Sequence, residues 1–132
     1  MVSCFTKLLF FKILKMRLGI VGSREFLDYS LLAETIDNFV EKTKIKFEKI
    51  VSGGAKGADT LAARYASEHG YPLEEFKPDY SLYGRGAPLK RNTTIVENSD
   101  IILAFVTASS KGTWDTIRKA QAQNKIVRIY NV

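Results

Sequence analysis

Residues 51–66 read VSGGAKGADTLAARYA, and this stretch decides the fold. It begins inside the run FEKIVS (residues 47–52), which reads as a buried strand. Gly53, Gly54 and Gly57 break that strand. Residues 58–69 then read as a helix, with Leu61 and Tyr65 on one face among alanines small enough to let it lie close to a sheet. Gly70 stops the helix where a left-handed residue is wanted.

The same unit recurs on either side. Upstream, RLGIVG (residues 17–22) is a strand ending in glycine, and residues 30–44 place Leu32, Ile36, Phe39 and Val40 at helical spacing. Asp28 or Ser30 is the expected cap of that helix. Downstream, residues 71–76 read as a third strand and 77–88 as a long loop rich in Tyr, Gly and Pro. A short helix follows over 89–98, then the continuous apolar strand IILAFV (101–106), a helix over 112–123 that Asn124 can cap, and a last strand over 126–130. Strands alternating with helices, without hairpin signals, predict a parallel five-stranded sheet with helices on both faces, joined by right-handed crossovers. The expected architecture is a single doubly wound, Rossmann-like α/β domain. No internal repeat or linker divides it.

Composition agrees and narrows the chemistry. The chain has 132 residues, 45% hydrophobic and 26% charged, which suits one globular domain with its own core. A lone Cys4 excludes an internal disulfide framework and a cysteine zinc site. A lone His69 argues against a zinc hydrolase or a Ser-His-Asp triad. No metal and no required cofactor are expected. No run approaches the ~20 apolar residues of a membrane span, so no membrane partner and a cytoplasmic location are expected. Of the net charge of +6, half lies in residues 1–15, which carry Lys7, Lys12 and Lys15 and no acid. The remaining +3 makes the body only mildly basic, which suits a small anion as well as it suits a polynucleotide. Residues 1–15 read as an extension before a domain spanning 16–132. The competing reading is an interfacial helix, with Leu8, Leu9, Phe11 and Leu14 sharing part of one face.

In an open α/β sheet, ligands bind beyond the carboxyl ends of the strands, where strand order reverses. Three such ends are small, polar and glycine-containing: Gly22-Ser23-Arg24, the run Ser52, Gly53, Gly54, Gly57, Ala58 and Asp59, and the run Ser109, Ser110, Lys111, Gly112 and Thr113. Glycine lets backbone N–H groups approach an anion, a helix N-terminus adds its dipole, and Arg24 and Lys111 add charge. The spacing of Gly53, Gly54 and Gly57 is neither a Walker A loop nor a dinucleotide fingerprint, and a glycine turn can also be only a turn. Asp59 reads either as a helix-start acid or as a ribose acceptor or base, and Asp115 invites the same pair of readings. Both are the candidate catalytic acids. Arg91 can fork onto a phosphate or a carboxylate, and Asn92 can read a base or hold a loop. Lys77, Arg85, Lys90 and Arg91, against Asp79, bring residues 77–91 to +3. Tyr80 and Tyr83 read as base-stacking groups or as loop cover, and Trp114 as core or interface rather than a base platform.

Taken together, GIVGSREF (residues 19–26), VSGGAKGADTLAARYA (51–66), RNTTIVENSDIILAF (91–105) and SKGTWDTIRKA (110–120) resemble the SLOG superfamily, and within it the small YspA/YpsA-related members. The resemblance covers nearly all of 16–132. It implies a Rossmann-like fold and a nucleotide or nucleotide-derived ligand at the strand ends. It further implies a sensor or a component of nucleotide-linked signalling or defence, and a homodimer or larger assembly. Two branches supply alternatives. The LOG phosphoribohydrolases release a base from a nucleoside monophosphate through a Gly-Thr-x-x-Glu motif; Gly112-Thr113 match it, but Thr116 stands where the catalytic Glu would be. DNA-processing protein A, a single-stranded DNA binder, has loops similar to 52–59, Arg91-Asn92 and 109–113. Nucleotide binding ranks first, N-glycosidase activity second and single-stranded DNA third.

Overall fold

Every strand in the computed structural model, which describes residues 15–132, runs parallel to its neighbours. The elements are β1 (Met16–Gly22), α1 (Tyr29–Thr43), β2 (Phe47–Ser52), α2 (Ala58–His69) and β3 (Leu73–Glu75). A short α3 (Tyr80–Tyr83) runs through a 3-10 turn (Gly84–Gly86) into α4 (Ala87–Glu97), followed by β4 (Ile101–Val106), α5 (Lys111–Ala122) and β5 (Ile126–Asn131). The sheet order is β3-β2-β1-β4-β5.

Which strands lie innermost follows from side-chain alternation. Successive strand residues point to opposite faces, so a strand buried on both sides must be apolar throughout. β4 is apolar and buried at all six positions and sits between β1 and β5. Leu18, Ile20, Ile50, Leu103 and Phe105 pack on one face against Leu32, Ile36 and Phe39 of α1 and Tyr65 of α2. Val21, Val51, Ile102 and Ala104 pack on the other against Ile95 and Val96 of α4 and Ile117 of α5. From β1 the chain winds outward through β2 to β3, then returns to place β4 on the far side of β1. The strand order therefore reverses between β1 and β4. A polar clasp fixes this pair at its amino end: Arg17 N and Nε donate to Asp100 Oδ2 at 2.8 and 3.0 Å, and Nη2 donates to Oδ1 at 3.0 Å.

Several boundaries differ from the sequence expectation. Asp28, not Ser30, caps α1, accepting from Leu31 N. The third strand shortens to Leu73–Glu75, because Pro72 has no N–H to give and this edge has one neighbour. Residues 77–88 are not a plain loop. Asp79 accepts from Leu82 N at 3.1 Å and starts α3, and Pro88 lies inside the first turn of α4, where a missing N–H costs nothing. Asn124 adopts the left-handed conformation (φ 58) just beyond α5. The N-terminal segment that includes Leu8, Leu9, Phe11 and Leu14 falls outside the described residues. Among those described, no helix is long and apolar enough to cross a membrane.

Candidate functional site

At the carboxyl end of β1 the backbone is knotted to both neighbours. Ser23 N donates to Phe105 O at 2.9 Å, and Ala58 N donates to Ser23 O at 3.1 Å. The Ser23 hydroxyl accepts from Glu25 N at 3.1 Å and from Thr107 Oγ1 at 2.9 Å. A Cβ on Gly22 would lie 2.5 Å from Phe105 O and 2.8 Å from Ala58 Cβ, and one on Gly57 would lie 2.3 Å from Ser23 O. These glycines bring β1, β4 and the start of α2 into backbone contact. Arg24 and Glu25 are left exposed at the rim.

The loop after β2 is turned onto its own carboxylate. Asp59 is 8% exposed, and its Oδ2 accepts from Ala55 N at 3.1 Å. Burial pushes the Asp59 carboxyl above its ordinary range, against the pull of the Ala55 amide and the nearby Arg91 charge. Arg91 Nη1 donates to Gly53 O at 2.8 Å, and a Cβ on Gly53 would lie 2.6 Å from that nitrogen. Burial lowers the Arg91 pKa, the Asp59 charge opposing this and Arg24 adding to it. Gly54 (φ 69) faces Lys77 and Glu75. The Ser52 hydroxyl is buried and meets no partner at hydrogen-bond geometry, though it lies close enough to Asp59 to favour the carboxylate slightly.

After β4 the opposite holds, because the start of α5 is left open. Ser110 precedes the helix, yet its hydroxyl accepts from Thr107 N at 2.8 Å and caps no α5 amide. Lys111 N donates to Ser109 O and Trp114 N to Ser110 O. Among the described residues no acceptor meets the Gly112 or Thr113 amide. A brace behind holds this end in place. Asn92 Nδ2 donates to Gly112 O at 3.2 Å and to Asp115 Oδ2 at 3.1 Å, while its Oδ1 accepts from Arg91 Nε at 3.0 Å. Lys119 Nζ stands 2.9 Å from Asp115 Oδ2 and donates to Leu89 O at 2.7 Å. Asp115 is thus spent on tying α5 to α4.

Between these loops, at the β1/β4 switch point, lies an open cleft of about 410 Å³. Of the residues singled out from sequence, Gly22, Ser23, Arg24, Asp59, Arg91, Asn92, Ser109, Ser110, Lys111, Gly112 and Thr113 line it. Ser52, Gly53, Gly54, Gly57 and Ala58 do not; Gly53, Gly57 and Ala58 pack against residues that do, whereas Gly54 faces Lys77 and Glu75. Asp115 also lies outside the lining, whereas Thr116 belongs to it. Glu25, Pro88, Leu89 and Ile95 line the cleft without having been singled out. The signal for Pro88 and Leu89 was the position of proline at a helix start. Trp114 is 39% exposed rather than core, and Tyr80 and Tyr83 are exposed at 58% and 45%.

Chemically, the cleft presents three cations (Arg24, Arg91 and Lys111) and two open amides, with Asp59 and Glu25 as its acids. Comparisons place the chain, though not its cleft residues, among known proteins. The sequence model of the YspA, cpYpsA-related SLOG family matches residues 16–83. The Gene 61 protein of Mycobacterium phage D29 is 31% identical over 111 residues, covering 80% of this chain and 88% of the phage protein. The fold is similar to that of DNA processing protein A from Helicobacter pylori, which binds single-stranded DNA. That likeness has a TM-score of 0.66 at 20% identity and covers 89% of this chain and 66% of that one.

Proposed function

The chain belongs to the YspA, cpYpsA-related SLOG family, and from that premise we propose that it binds a nucleotide or nucleotide-derived ligand in the switch-point cleft. The observation that carries this reading is the open start of α5. Two amides without acceptors, a helix dipole and the Lys111 ammonium converge where a phosphate would sit. Arg91 reaches the same cleft with Nε and Nη1 already engaged, leaving Nη2 to donate to the ligand. Asp59, across the cleft, suits a ribose hydroxyl.

The reading is binding rather than base release. Glycoside cleavage needs a carboxylate poised at the anomeric carbon. Thr116 donates its hydroxyl to Gly112 O at 3.4 Å and carries no charge, and Asp115 is held by Asn92 and Lys119. A thermal-shift screen of nucleoside phosphates and a short oligonucleotide tests both points. A ligand at about 100 times its Kd adds about 2.7 kcal/mol of stability. No shift with any nucleotide, or free base accumulating over hours, contradicts the reading. A shift with the oligonucleotide alone would favour single-stranded DNA instead.

A further inference from the structure

Arg91 has a second side. Besides lining the main cleft, it walls a smaller hollow of about 100 Å³ with Phe76, Lys77, Tyr83 and Lys90. That volume corresponds to about three waters, enough for a phosphoryl group and too little for a base. Neither Lys77 nor Lys90 pairs with an acid among the described residues. The acid at the edge of the hollow, Asp79, is committed to starting α3, accepting from Ser81 Oγ at 2.6 Å and Leu82 N at 3.1 Å. The Lys77 stem is laid against Gly54, where a Cβ would stand 3.0 Å from it and 3.3 Å from Glu75 Oε2, and Lys90 Nζ stands 5.8 Å from the centre of the Tyr83 ring. The hollow is therefore lined by Lys77 and Lys90, neither paired with an acid among the described residues, and by Arg91, beside the exposed Tyr83 ring.

We propose that this hollow is a second anion subsite, and that the ligand is a dinucleotide: one phosphate at the start of α5, and a second phosphorylated unit passing Arg91 to lie against Tyr83. The proposal rests on the main cleft being the nucleotide site. Arg91 lines both spaces, so two phosphates held one in each are separated by its side chain and stand farther apart than the directly linked pair of a pyrophosphate. This favours a phosphodiester-linked dinucleotide. Tyr83 offers a face on which its second base can stack.

Calorimetric titration of AMP, pApA, NAD and an eight-residue oligoadenylate tests this on the full chain and on a Lys77→Gln/Lys90→Gln double variant. In the wild type, pApA is expected to bind about tenfold tighter than AMP, the sum of two exposed charge contacts. The double variant should bring pApA back to the affinity of AMP while leaving AMP unchanged, and AMP binding itself shows that the variant is folded. Equal affinity of AMP and pApA in the wild type overturns the proposal and leaves the nucleotide reading standing. So does NAD binding more tightly than pApA, affinity that keeps climbing from pApA to the octamer, or equal loss of AMP and pApA in the variant. Failure of every nucleotide to bind overturns both.

Discussion

Replacing Gly57 by alanine would place a methyl carbon 2.3 Å from Ser23 O and 2.5 Å from the carbonyl carbon and oxygen of Arg24. Both obstacles are backbone, and neither can swing aside as a side chain would. Gly57 also holds φ 74 and ψ −126, a region that L residues rarely adopt. Backbone strain of this kind costs about 1–3 kcal/mol, and forcing an extra carbon into a packed contact costs about 1–3 kcal/mol more. Alanine returns about 0.4–1 kcal/mol by restricting the unfolded chain. The net loss is about 3 kcal/mol, or about 10–15 °C in Tm for a domain of this size. Gly112→Ala is the matched control. Nothing lies within 4 Å of its Cβ, and its helical backbone favours alanine, so a gain of about 0.5–1 kcal/mol is expected. Urea denaturation of the two variants reads both numbers. A Gly57→Ala loss below about 1 kcal/mol would refute the claim that the β1 and β2 loops are in hard backbone contact.

Two carboxylates give pH signatures of opposite sign. Burial raises the Asp59 pKa, so its ionisation weakens the fold as pH climbs from the ordinary 3.8 to the raised value. Asp59→Asn keeps an oxygen for the Ala55 amide, so in paired denaturation curves the variant should gain on the wild type as pH rises; a gain confined to acid pH would contradict this. Asp100 behaves the other way: burial pushes its pKa up, but the Arg17 hydrogen bonds and charge outweigh that and hold it low. Its contribution is full above 3.8 and fades as pH falls through the lowered value. Asp100→Asn is expected to cost about 1 kcal/mol at neutral pH, given that the pair is partly exposed. A difference that does not shrink in acid would argue that the Arg17 clasp is not charge-assisted.

Periodicity carried most of the fold. The spacing of Leu32, Ile36 and Phe39, the unbroken run 101–106 and the glycines closing β1 and β2 lead directly to a parallel, two-faced sheet. The side of β1 taken by β4 is not written in any local pattern. It is decided by which apolar surfaces meet, and it is what places the cleft. Among local features, residues 77–88 misled because Pro and Gly usually mark loops, whereas here Asp79 and Pro88 each begin a helix. The loop containing Gly53, Gly54 and Gly57 has the composition of an anion cradle. Which anion its amides serve depends on Asp59 folding back onto Ala55, a contact that composition does not reveal. The helix start at 109–113 was legible as an anion site, but not that the Thr107 amide claims the Ser110 hydroxyl and so leaves the α5 amides uncapped. Asp115 kept both of its readings because one partner, Asn92, lies on a different helix, although Lys119 stands four residues on along its own.

In the proposed complex the open start of α5, and not the glycine loop after β2, receives the ligand phosphate. Amide-resolved NMR titration of the ¹⁵N-labelled protein with AMP tests this most directly. The Gly112 and Thr113 amide signals are expected to move downfield together and saturate, with the Arg91 side-chain signal following, while Gly53 and Ala55, already bonded or facing Asp59 and Arg91, move little. Saturating shifts at Gly53, Gly54 and Ala55 with Gly112 and Thr113 unmoved would contradict the account.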